Sequence, residues 1–339
     1  MPCATFWILA CEAQAEGTAP DYEYALSDVA IIGLGPVGLG LAHAAKAALP
    51  GANVVGFDAD TERAQRARDS GILDTVKDRL APALAGASLV VLDVGLRETE
   101  SALESIGKLA PSSCIVTDTC LLKRPVLNWA AKFLPPTMGF VGGHVFLDSS
   151  STVDGIMTAG ARYCLVCGPE TAPEAVRVVV ALASAAGAEP LFMDVDEHDS
   201  FVLATSYLAK IAGAATIDAV VRSPVWRDIQ NLKTNAFNIV LGSSATGQDN
   251  VSLGDLATLG VENWDPVIFW IDRLQYELQS IKESLRRGVD SGEVLNFDAI
   301  NRERVELLTR RSRGAAKHER PGVRSLLLGE WLNDRHKQR

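Results

Sequence analysis

The sequence predicts an α/β fold in which a doubly wound parallel sheet is followed by an all-helical domain. Three observations predict it. From residue 28 to about residue 195, short runs of β-prone apolar residues alternate with helical stretches, which is typical of a parallel sheet covered on both faces. The first run leads directly into a glycine-rich turn and then into helical sequence. After Asp196 the β-prone runs end, and the apolar residues follow helical spacing instead.

The elements of the first part follow from this alternation. Strands are expected at 28–33, 53–58, 88–94, 113–118, 138–142, 163–167 and 190–193. Helices are expected at 36–48, 61–70, 97–109, 123–133 and 172–186. Pro36 in a first helical turn and Gly187 after a last turn are typical of the beginning and the end of a helix.

The second part is predicted to be helical throughout. Helices are expected at 197–222, 226–241, 265–287 and 297–311, with a mobile loop at 242–254. The apolar stripe of 265–287 would serve either a dimer interface or the core of its own domain, and we favour the dimer. The expected organisation is a mobile extension at 1–27, a dinucleotide-binding domain at 28–195, a helical substrate and dimerisation domain at 196–312, and a basic tail at 313–339.

The glycine-rich turn is the strongest motif of the chain. Gly33 permits a tight turn, Gly35 lets the backbone approach a pyrophosphate, and Gly38 lets helix and strand pack closely. The phosphates would then lie against the free N–H groups at the helix N-terminus. This spacing predicts a Rossmann-type dinucleotide site. The remaining residues of the turn are expected to contact the cofactor too: Leu34, Pro36 and Val37.

Asp58 indicates which dinucleotide is bound. It ends the second β-prone run, 20 residues beyond Gly38, where a carboxylate accepts hydrogen bonds from the adenosine ribose and repels a 2′-phosphate. Residue 59 is Ala rather than Arg. The sequence therefore favours NAD over NADP as the cofactor.

Composition sets the broad class. A chain of 339 residues with 47% hydrophobic and 22% charged residues is long enough, and ordinary enough, for two soluble domains. The net charge of −10 argues against general nucleic-acid binding. Residues 6–11 are apolar, but the run is too short to cross a membrane and no basic residue precedes it. We therefore expect a cytoplasmic protein without a membrane partner. Its basic tail is expected to be solvated, with contact to an acidic partner or to another subunit as the alternative.

The six cysteines are scattered, which excludes a disulfide framework and indicates a reducing compartment. Cys164 and Cys167 have the spacing of a zinc or redox pair. They lie in an apolar run that is predicted to be a strand, where side chains three residues apart point to opposite faces of the sheet. Buried structural thiols are therefore favoured, and no metal is expected.

Three further stretches carry polar residues at predicted strand ends or at the entry to the helical domain. They are 115–123, with Asp118, Thr119 and Lys123; 140–145, with paired glycines before His144; and 197–210, which begins Glu-His-Asp and ends at Lys210. Ligands of open α/β sheets bind outside the carboxyl ends of the strands. The first two stretches are therefore expected to border the nicotinamide end of the cofactor.

With these stretches in register behind the glycine motif, the chain resembles the prephenate and arogenate dehydrogenase family over about residues 28–220, and more loosely to about 312. The resemblance implies an NAD(P)-dependent oxidoreductase that oxidises the ring hydroxyl of a cyclohexadienyl acid. Loss of carbon dioxide then makes the ring aromatic, on the route to tyrosine. It also implies a homodimer through the helical domain.

By this resemblance His144 matches the catalytic histidine of the family. A neutral imidazole suits the removal of a hydroxyl proton near pH 7, as hydride leaves the carbon. The alternative is a structural histidine bonded to nearby backbone. For His198, with acidic residues on either side, a structural capping cluster is favoured over direct catalysis.

The substrate side departs from the family pattern. Leu121 replaces a serine, Val145 a proline, Ser150 an acidic residue and Tyr207 a histidine. Lys210 falls on a second lost histidine. The family's carboxylate-binding arginine has no secure match, and Arg222 and Arg227 are candidates for it. Buried polar groups left without partners cost specificity and rate, so this many changes point to a repurposed pocket. Prephenate or arogenate is the default substrate that the resemblance implies, and a related compound of a specialised pathway is the alternative.

Two alternatives stay open. In β-hydroxyacid dehydrogenases a lysine on the first interdomain helix transfers the proton, and Lys210 has roughly that placement, with Asn231, Asn235 or Asn238 as the accompanying amide. Lys123 is either a further catalytic group or a cap or ion-pair partner. The second alternative, a non-catalytic NAD-binding regulator, is disfavoured because His144 is retained.

Overall fold

The computed structural model describes residues 28–49, 51–146, 152–153, 156–157, 161–168, 170–229, 234–244, 253–254, 256, 264–291, 302 and 306. Ten strands are found in these ranges: β1 (Asp28–Ile32), β2 (Asn53–Phe57), β3 (Thr75–Lys77), β4 (Leu89–Leu92), β5 (Ile115–Asp118), β6 (Gly139–Phe146), β7 (Thr152–Val153), β8 (Ile156–Met157), β9 (Arg162–Val166) and β10 (Glu189–Phe192).

The helices alternate with these strands and then continue alone. Those before β10 are α1 (Pro36–Ala48), α2 (Thr61–Ser70), α3 (Leu80–Leu84), α4 (Leu96–Leu109), α5 (Arg124–Phe133) and α6 (Pro173–Ala185). After β10 come α7 (Val195–Val202), a π-helical turn (Leu203–Tyr207), α8 (Leu208–Val221), α9 (Trp226–Ile229), α10 (Asn235–Ser244) and α11 (Asp265–Ser291).

Eight strands form one sheet in the order β10-β9-β6-β5-β4-β1-β2-β3. The chain runs outward from β1 through β2 to β3, then returns to β4 on the other side of β1 and proceeds to β5 and β6. The predicted doubly wound α/β fold is confirmed. The order reverses between β1 and β4, and the crevice at such a reversal is where open α/β sheets bind ligands.

The sequence led us to expect a sheet that is parallel throughout, and this expectation was wrong. Strand β9 pairs antiparallel with β6, whereas β10 pairs parallel with β9. Each of these strands is short and apolar, and antiparallel pairing needs no crossover helix. Strand periodicity alone does not distinguish the two arrangements.

Strand β6 is four residues longer at its C-terminal end than predicted, so the expectation that His144 follows a strand end was wrong. Its parallel pairing with β5 stops at Val141, and residues Gly142–Phe146 pair with β9 instead. His144 therefore lies beyond the end of β5, but within a paired strand. The short elements β3 and α3 were also missed, because three to five residues carry little periodicity.

Helices cover both faces of the sheet, and they bury its strands almost completely. Helices α1 and α6 pack together over one face, where the core includes Ile31, Leu89, Val141 and Leu165. Helices α4 and α5 pack on each other, and α7 packs on α5. Val145 lies four residues beyond Val141 on the same face of β6, and both belong to this core cluster.

The chain divides into two compact units between Trp264 and Asp265. The first holds the sheet and the helices through α10, and the second holds α11, a single helix of 27 residues. Helix α11 is four residues longer than its predicted range. The finer division of the first unit into a sheet domain and a helical domain near residue 195 stays a prediction.

Within the part of the chain that the structure describes, one continuous helical segment, Val195–Val221, is long and apolar enough to cross a membrane. A single segment of this kind is weak evidence, because core helices pass the same test. This segment also buries His198, Asp199 and Lys210, which is costly in lipid.

Several predicted features lie outside the described residues. They are the extension at 1–27, Ser150, Asn231, most of the loop at 242–254, most of the helix at 297–311 and the tail at 313–339.

Candidate active site

The glycine turn has the geometry that a dinucleotide cradle requires. Gly33 has a φ of +97° and donates its N–H to the carbonyl of Phe57 at 2.8 Å. A Cβ on Gly33 would lie 1.9 Å from the Asp93 carbonyl oxygen, and a Cβ on Gly38 would lie 2.2 Å from the Gly33 carbonyl oxygen. Only glycine fits at these two positions. Helix α1 then begins at Pro36, with no side chain capping its N-terminus from Gly35.

Asp58 lies beside this turn, directly after β2. Its carboxylate accepts the N–H of Leu34 at 2.8 Å and the N–H of Asp60 at 2.8 Å. The guanidinium of Arg63 donates to the same carboxylate from Nε at 3.0 Å and from Nη2 at 3.2 Å. Its ion pair with Asp58 helps to raise the pKa of Arg63 against the opposing effect of burial. The Arg63 side chain is 46% exposed, so it lies at the edge of the crevice.

Arg63 was missed by the sequence reasoning, which considered only residue 59. A signal was present, because Asp60 caps α2 and the third residue of that helix is Arg63. The first turn of a helix that follows β2 faces back toward the end of that strand, as the Asp58 contacts show.

Asp93 also lies in the crevice and was missed. It follows β4, and its N–H donates to the carbonyl of Ile32 in β1 at 2.7 Å. Its carboxylate accepts the N–H of Gly38 at 2.8 Å and the hydroxyl of Thr119 at 2.5 Å. Burial by the surrounding protein raises the pKa of the Asp93 carboxyl, although the two hydrogen bonds oppose this.

A buried ion pair joins β5 to β6. Lys123 and Asp118 are fully buried, and the Lys123 ammonium donates to the Asp118 carboxylate and to the Gly143 carbonyl. The Asp118 carboxylate also accepts the N–H of Gly143 at 3.0 Å and the N–H of Cys120 at 2.9 Å. These contacts hold the strand of His144 against the loop after β5.

His144, His198 and Asp199 form a buried hydrogen-bonded chain. His144 Nδ1 lies 3.0 Å from His198 Nε2, and His198 Nδ1 lies 2.8 Å from Asp199 Oδ1. An ionised carboxylate can only accept, so His198 Nδ1 donates to it and His198 Nε2 accepts. His144 Nδ1 is then the donor, which leaves Nε2 of His144 with the free lone pair.

Asp199 is fixed in turn by the start of α5. Its carboxylate accepts the N–H of Lys123 at 2.8 Å and the N–H of Arg124 at 2.9 Å. Arg124 also pairs with Asp196, one helical turn before Asp199 along α7. Asp199 therefore both caps the start of α5 and orients His198.

The pKa of His144 is well below its usual range because the ring is buried and because His198 and Lys123 oppose a positive charge there. Burial also lowers the pKa of His198, although its hydrogen bond to Asp199 opposes this. Both imidazoles are therefore neutral at pH 7.

Aromatic rings lie beside the two histidines. The ring of Phe146 is 4.1 Å from that of His144, centroid to centroid, and 5.7 Å from the ring of Phe201. Phe146 is two residues beyond His144 on the same strand, so strand periodicity could have placed it on the same face. Phe201 is 37% exposed, at the outer side of this group.

The remaining predicted site residues are dispersed. Leu121 is partly buried, and Val145 packs in the core cluster. Tyr207, at the end of the π-helical turn, and Lys210, on α8, are both buried. The candidate arginines and the two described candidate amides are exposed: Arg222, Arg227, Asn235 and Asn238.

The two cysteines with zinc-like spacing differ in their surroundings. Cys164 is fully buried in β9, where burial raises the pKa of its thiol to about 12, and Cys167 is partly buried after the strand. Within the described residues neither of them forms a disulfide.

Known proteins match this chain in sequence and in fold. Residues 41–188 match the family model for the nucleotide-binding domain of prephenate dehydrogenase. The prephenate dehydrogenase of Bacillus subtilis strain 168 is 27% identical over 196 residues, which are 56% of this chain and 52% of that protein. The chain thus aligns with about half the length of this curated relative.

Solved structures extend the likeness to the whole fold. The prephenate dehydrogenase of A. aeolicus, in complex with hydroxyphenyl propionate and NAD+, superposes with a TM-score of 0.69 at 18% identity, covering 84% of this chain and 99% of that one. Synechocystis arogenate dehydrogenase gives a TM-score of 0.61 at 18% identity, covering 83% and 99%. Residues 41–188 are therefore similar to the nucleotide-binding domain of prephenate dehydrogenases, and the likeness to the solved structures is one of fold.

Proposed function

We propose that this protein is an NAD-dependent dehydrogenase that oxidises the hydroxyl group of a cyclohexadienyl acid or a related small hydroxy acid. The observation that carries the proposal is the chain His144–His198–Asp199, because it supplies a neutral, oriented imidazole within a dinucleotide-binding fold. The family match and the relatives named above support the reaction class.

The described residues fit NAD. Gly33 and Gly38 allow the tight turn and the close packing of strand and helix that a dinucleotide site needs, because a Cβ at either position would collide with backbone, and Asp58 presents a carboxylate at the end of β2. We assign the pyrophosphate to residues 33–38 and the adenosine ribose to Asp58, with Thr119 beside the turn. NAD held by these residues would supply the acceptor for the hydride that leaves the substrate carbon.

His144 is the proposed general base. Its Nδ1 is occupied by His198, so Nε2 would take the hydroxyl proton. The positive charge that then develops on His144 is stabilised through His198 by the Asp199 carboxylate. The lowered pKa keeps His144 unprotonated and ready to accept a proton at neutral pH.

Asp118 and Lys123, predicted as cofactor-binding and catalytic residues, are better suited to a supporting role. Both are fully buried. The Lys123 ammonium forms an ion pair with the Asp118 carboxylate and donates a hydrogen bond to the Gly143 carbonyl. We infer that they position the strand of His144. The Lys123 charge also helps to keep the pKa of His144 low.

For the substrate, prephenate or arogenate is the first choice, and a related acid of a specialised pathway is the second. Phe146 and Phe201 offer an apolar surface beside His144 that suits a ring. Leu121 and Tyr207 stand where the family has hydrogen-bonding residues, which supports a changed acid. Val145 packs in the core, so we no longer assign it to the pocket. Whether carbon dioxide is lost depends on the acid.

The test is NADH formation, followed at 340 nm with prephenate, arogenate and a panel of ring and open-chain hydroxy acids. His144→Ala should abolish turnover of the accepted acid while NADH still binds with unchanged affinity. His43→Ala, on the exposed face of α1, is the matched control and should turn over normally. Turnover by His144→Ala at the wild-type rate would rule His144 out as the base.

A second candidate function is a β-hydroxyacid-type dehydrogenase that uses Lys210. Burial of this lysine on α8, directly after a π-helical turn, favours it, because π-helical turns are frequent at functional sites. Two of its candidate amide partners, Asn235 and Asn238, are exposed, and the third, Asn231, lies outside the described residues. Lys210→Met should abolish turnover in this case, whereas with His144 as base it should mainly raise KM.

For the assembly we propose a cytoplasmic homodimer. The described part of α11 exposes a stripe of apolar residues that fits a second copy: Ile268, Leu278, Ile281 and Leu285. Light scattering on the purified chain should give twice the mass of the monomer.

A further inference from the structure

Asp93 lies at the reversal of the strand order, in the crevice assigned above to the cofactor. It follows β4, and β4 pairs with β1, the strand that leads into the glycine turn. Its N–H bonds to Ile32, the last residue of β1. The backbone of Asp93 thus fixes its carboxylate over the turn.

The carboxylate occupies the space that the glycines leave. Its Oδ2 lies 2.9 Å from the Cβ position of Gly38 and 3.4 Å from that of Gly35. The same oxygen accepts the Gly38 N–H at 2.8 Å, and Oδ1 accepts the Thr119 hydroxyl. A helix N-terminus binds anions through such N–H groups, and here the chain supplies the anion itself.

We propose that Asp93 limits the affinity of the cofactor site, because its carboxylate competes with the phosphates of the dinucleotide for the N-terminus of α1. Cofactor binding moves this carboxylate away from Gly38 or neutralises it by uptake of one proton from solution. The inference rests on the proposed dehydrogenase function. It adds that the apparent affinity for cofactor depends on an acidic residue that makes no favourable contact with the phosphates.

The charged and titratable groups around Asp93 favour proton uptake. Asp58 opposes a second negative charge and raises the pKa of Asp93, whereas Arg63 on α2 acts in the opposite direction. Cys120 and Tyr163 face the same region, but both have pKa values raised by burial and stay neutral. The first turn of α1 carries no acidic residue.

The sign of the pH dependence follows. A bound pyrophosphate raises the pKa of Asp93 further, so the complex holds more protons than the free protein between the two pKa values. Affinity for NADH therefore falls as pH rises through this window, by at most about tenfold per pH unit for one proton. Below the window the protonated carboxyl no longer repels the phosphates, and affinity is constant.

The experiment compares NADH binding to the wild-type chain and to Asp93→Asn from pH 5.5 to 8.5, by fluorescence and by calorimetry in buffers of different ionisation enthalpy. At pH 8 the variant should bind about tenfold more tightly, since one like charge near the phosphates is removed. Its affinity should not change with pH, and its proton uptake should vanish. Asp69→Asn, an exposed carboxylate on α2, is the control and should match the wild type.

Asp93→Ala is a second variant that introduces no amide group, so it excludes a direct effect of the new asparagine side chain. It should show the same gain in affinity for NADH. Weaker binding of NADH to both variants would overturn the proposal, because Asp93 would then be a ligand of the cofactor. Equal binding at every pH would overturn it and leave the dehydrogenase function standing. Failure of all four proteins to bind NADH would overturn both proposals together.

Discussion

His144 Nδ1 lies 3.0 Å from His198 Nε2, and the two rings meet edge to face with 5.1 Å between their centroids. Asp199, the neighbour of His198, completes the chain and also caps α5. This relationship joins β6 to α7, the first helix after the last strand of the sheet. Its consequence is a defined tautomer for His144, and that can be tested.

His198→Gln should lower kcat about 10- to 100-fold, because His144 loses the acceptor that fixes its tautomer and its rotation. The affinity for NADH should not change, since His198 has no part in the glycine turn. Steady-state kinetics and NADH fluorescence separate the two effects. His43→Gln is the matched control at an exposed position. A normal kcat in His198→Gln would mean that the histidine pair is only structural.

The rate of substrate oxidation should fall on the acid side only at pH values below 6.5. His144 must be neutral to accept the proton, and its pKa is lowered, so it becomes protonated only as pH falls through that lowered value. kcat/KM should therefore be constant from about pH 6.5 to 8, apart from any dependence that Asp93→Asn removes. A pH–rate profile measured in the Asp93→Asn background checks this. An acid limb centred above pH 7 would contradict the assignment of His144.

Asp58→Ala should shift cofactor preference from NAD toward NADP by about tenfold or more. Removal of the carboxylate frees the Arg63 guanidinium, and an arginine at this place accommodates a 2′-phosphate. The ratio of kcat/KM values for NAD and NADP is the measurement. The double variant with Arg63→Ala should lose the gain for NADP. An unchanged ratio in Asp58→Ala would show that Asp58 does not face the ribose.

Lys123→Met should lower the free energy of unfolding by about 3–5 kcal/mol, because it leaves the buried Asp118 carboxylate without its counter-charge. Adding Asp118→Asn should recover part of this loss. Chemical denaturation provides the measurement. Lys108→Met, which breaks an exposed pair with Glu104, should cost about 1 kcal/mol or less. Equal losses in the two single variants would contradict a structural role for Lys123.

The sequence alone determined the class of the fold and the cofactor half of the site. Short apolar runs that alternate with helical stretches are typical of a doubly wound sheet. Gly33, Gly38 and Asp58 act through local backbone geometry that a short motif encodes. The family resemblance found His144 by its motif. It did not show how the histidine is held.

Only the tertiary structure decided what surrounds these residues. His198 is 54 positions from His144 and Asp93 is 55 positions from Gly38, and no periodicity links residues so far apart. Strand β9 pairs antiparallel with β6 beyond Val141. This pairing places His144 within a paired strand and Val145 in the core. Hydrogen bonds between such distant positions form only once the sheet order is fixed. The partners of the catalytic base and of the glycine turn are therefore properties of the fold rather than of any motif.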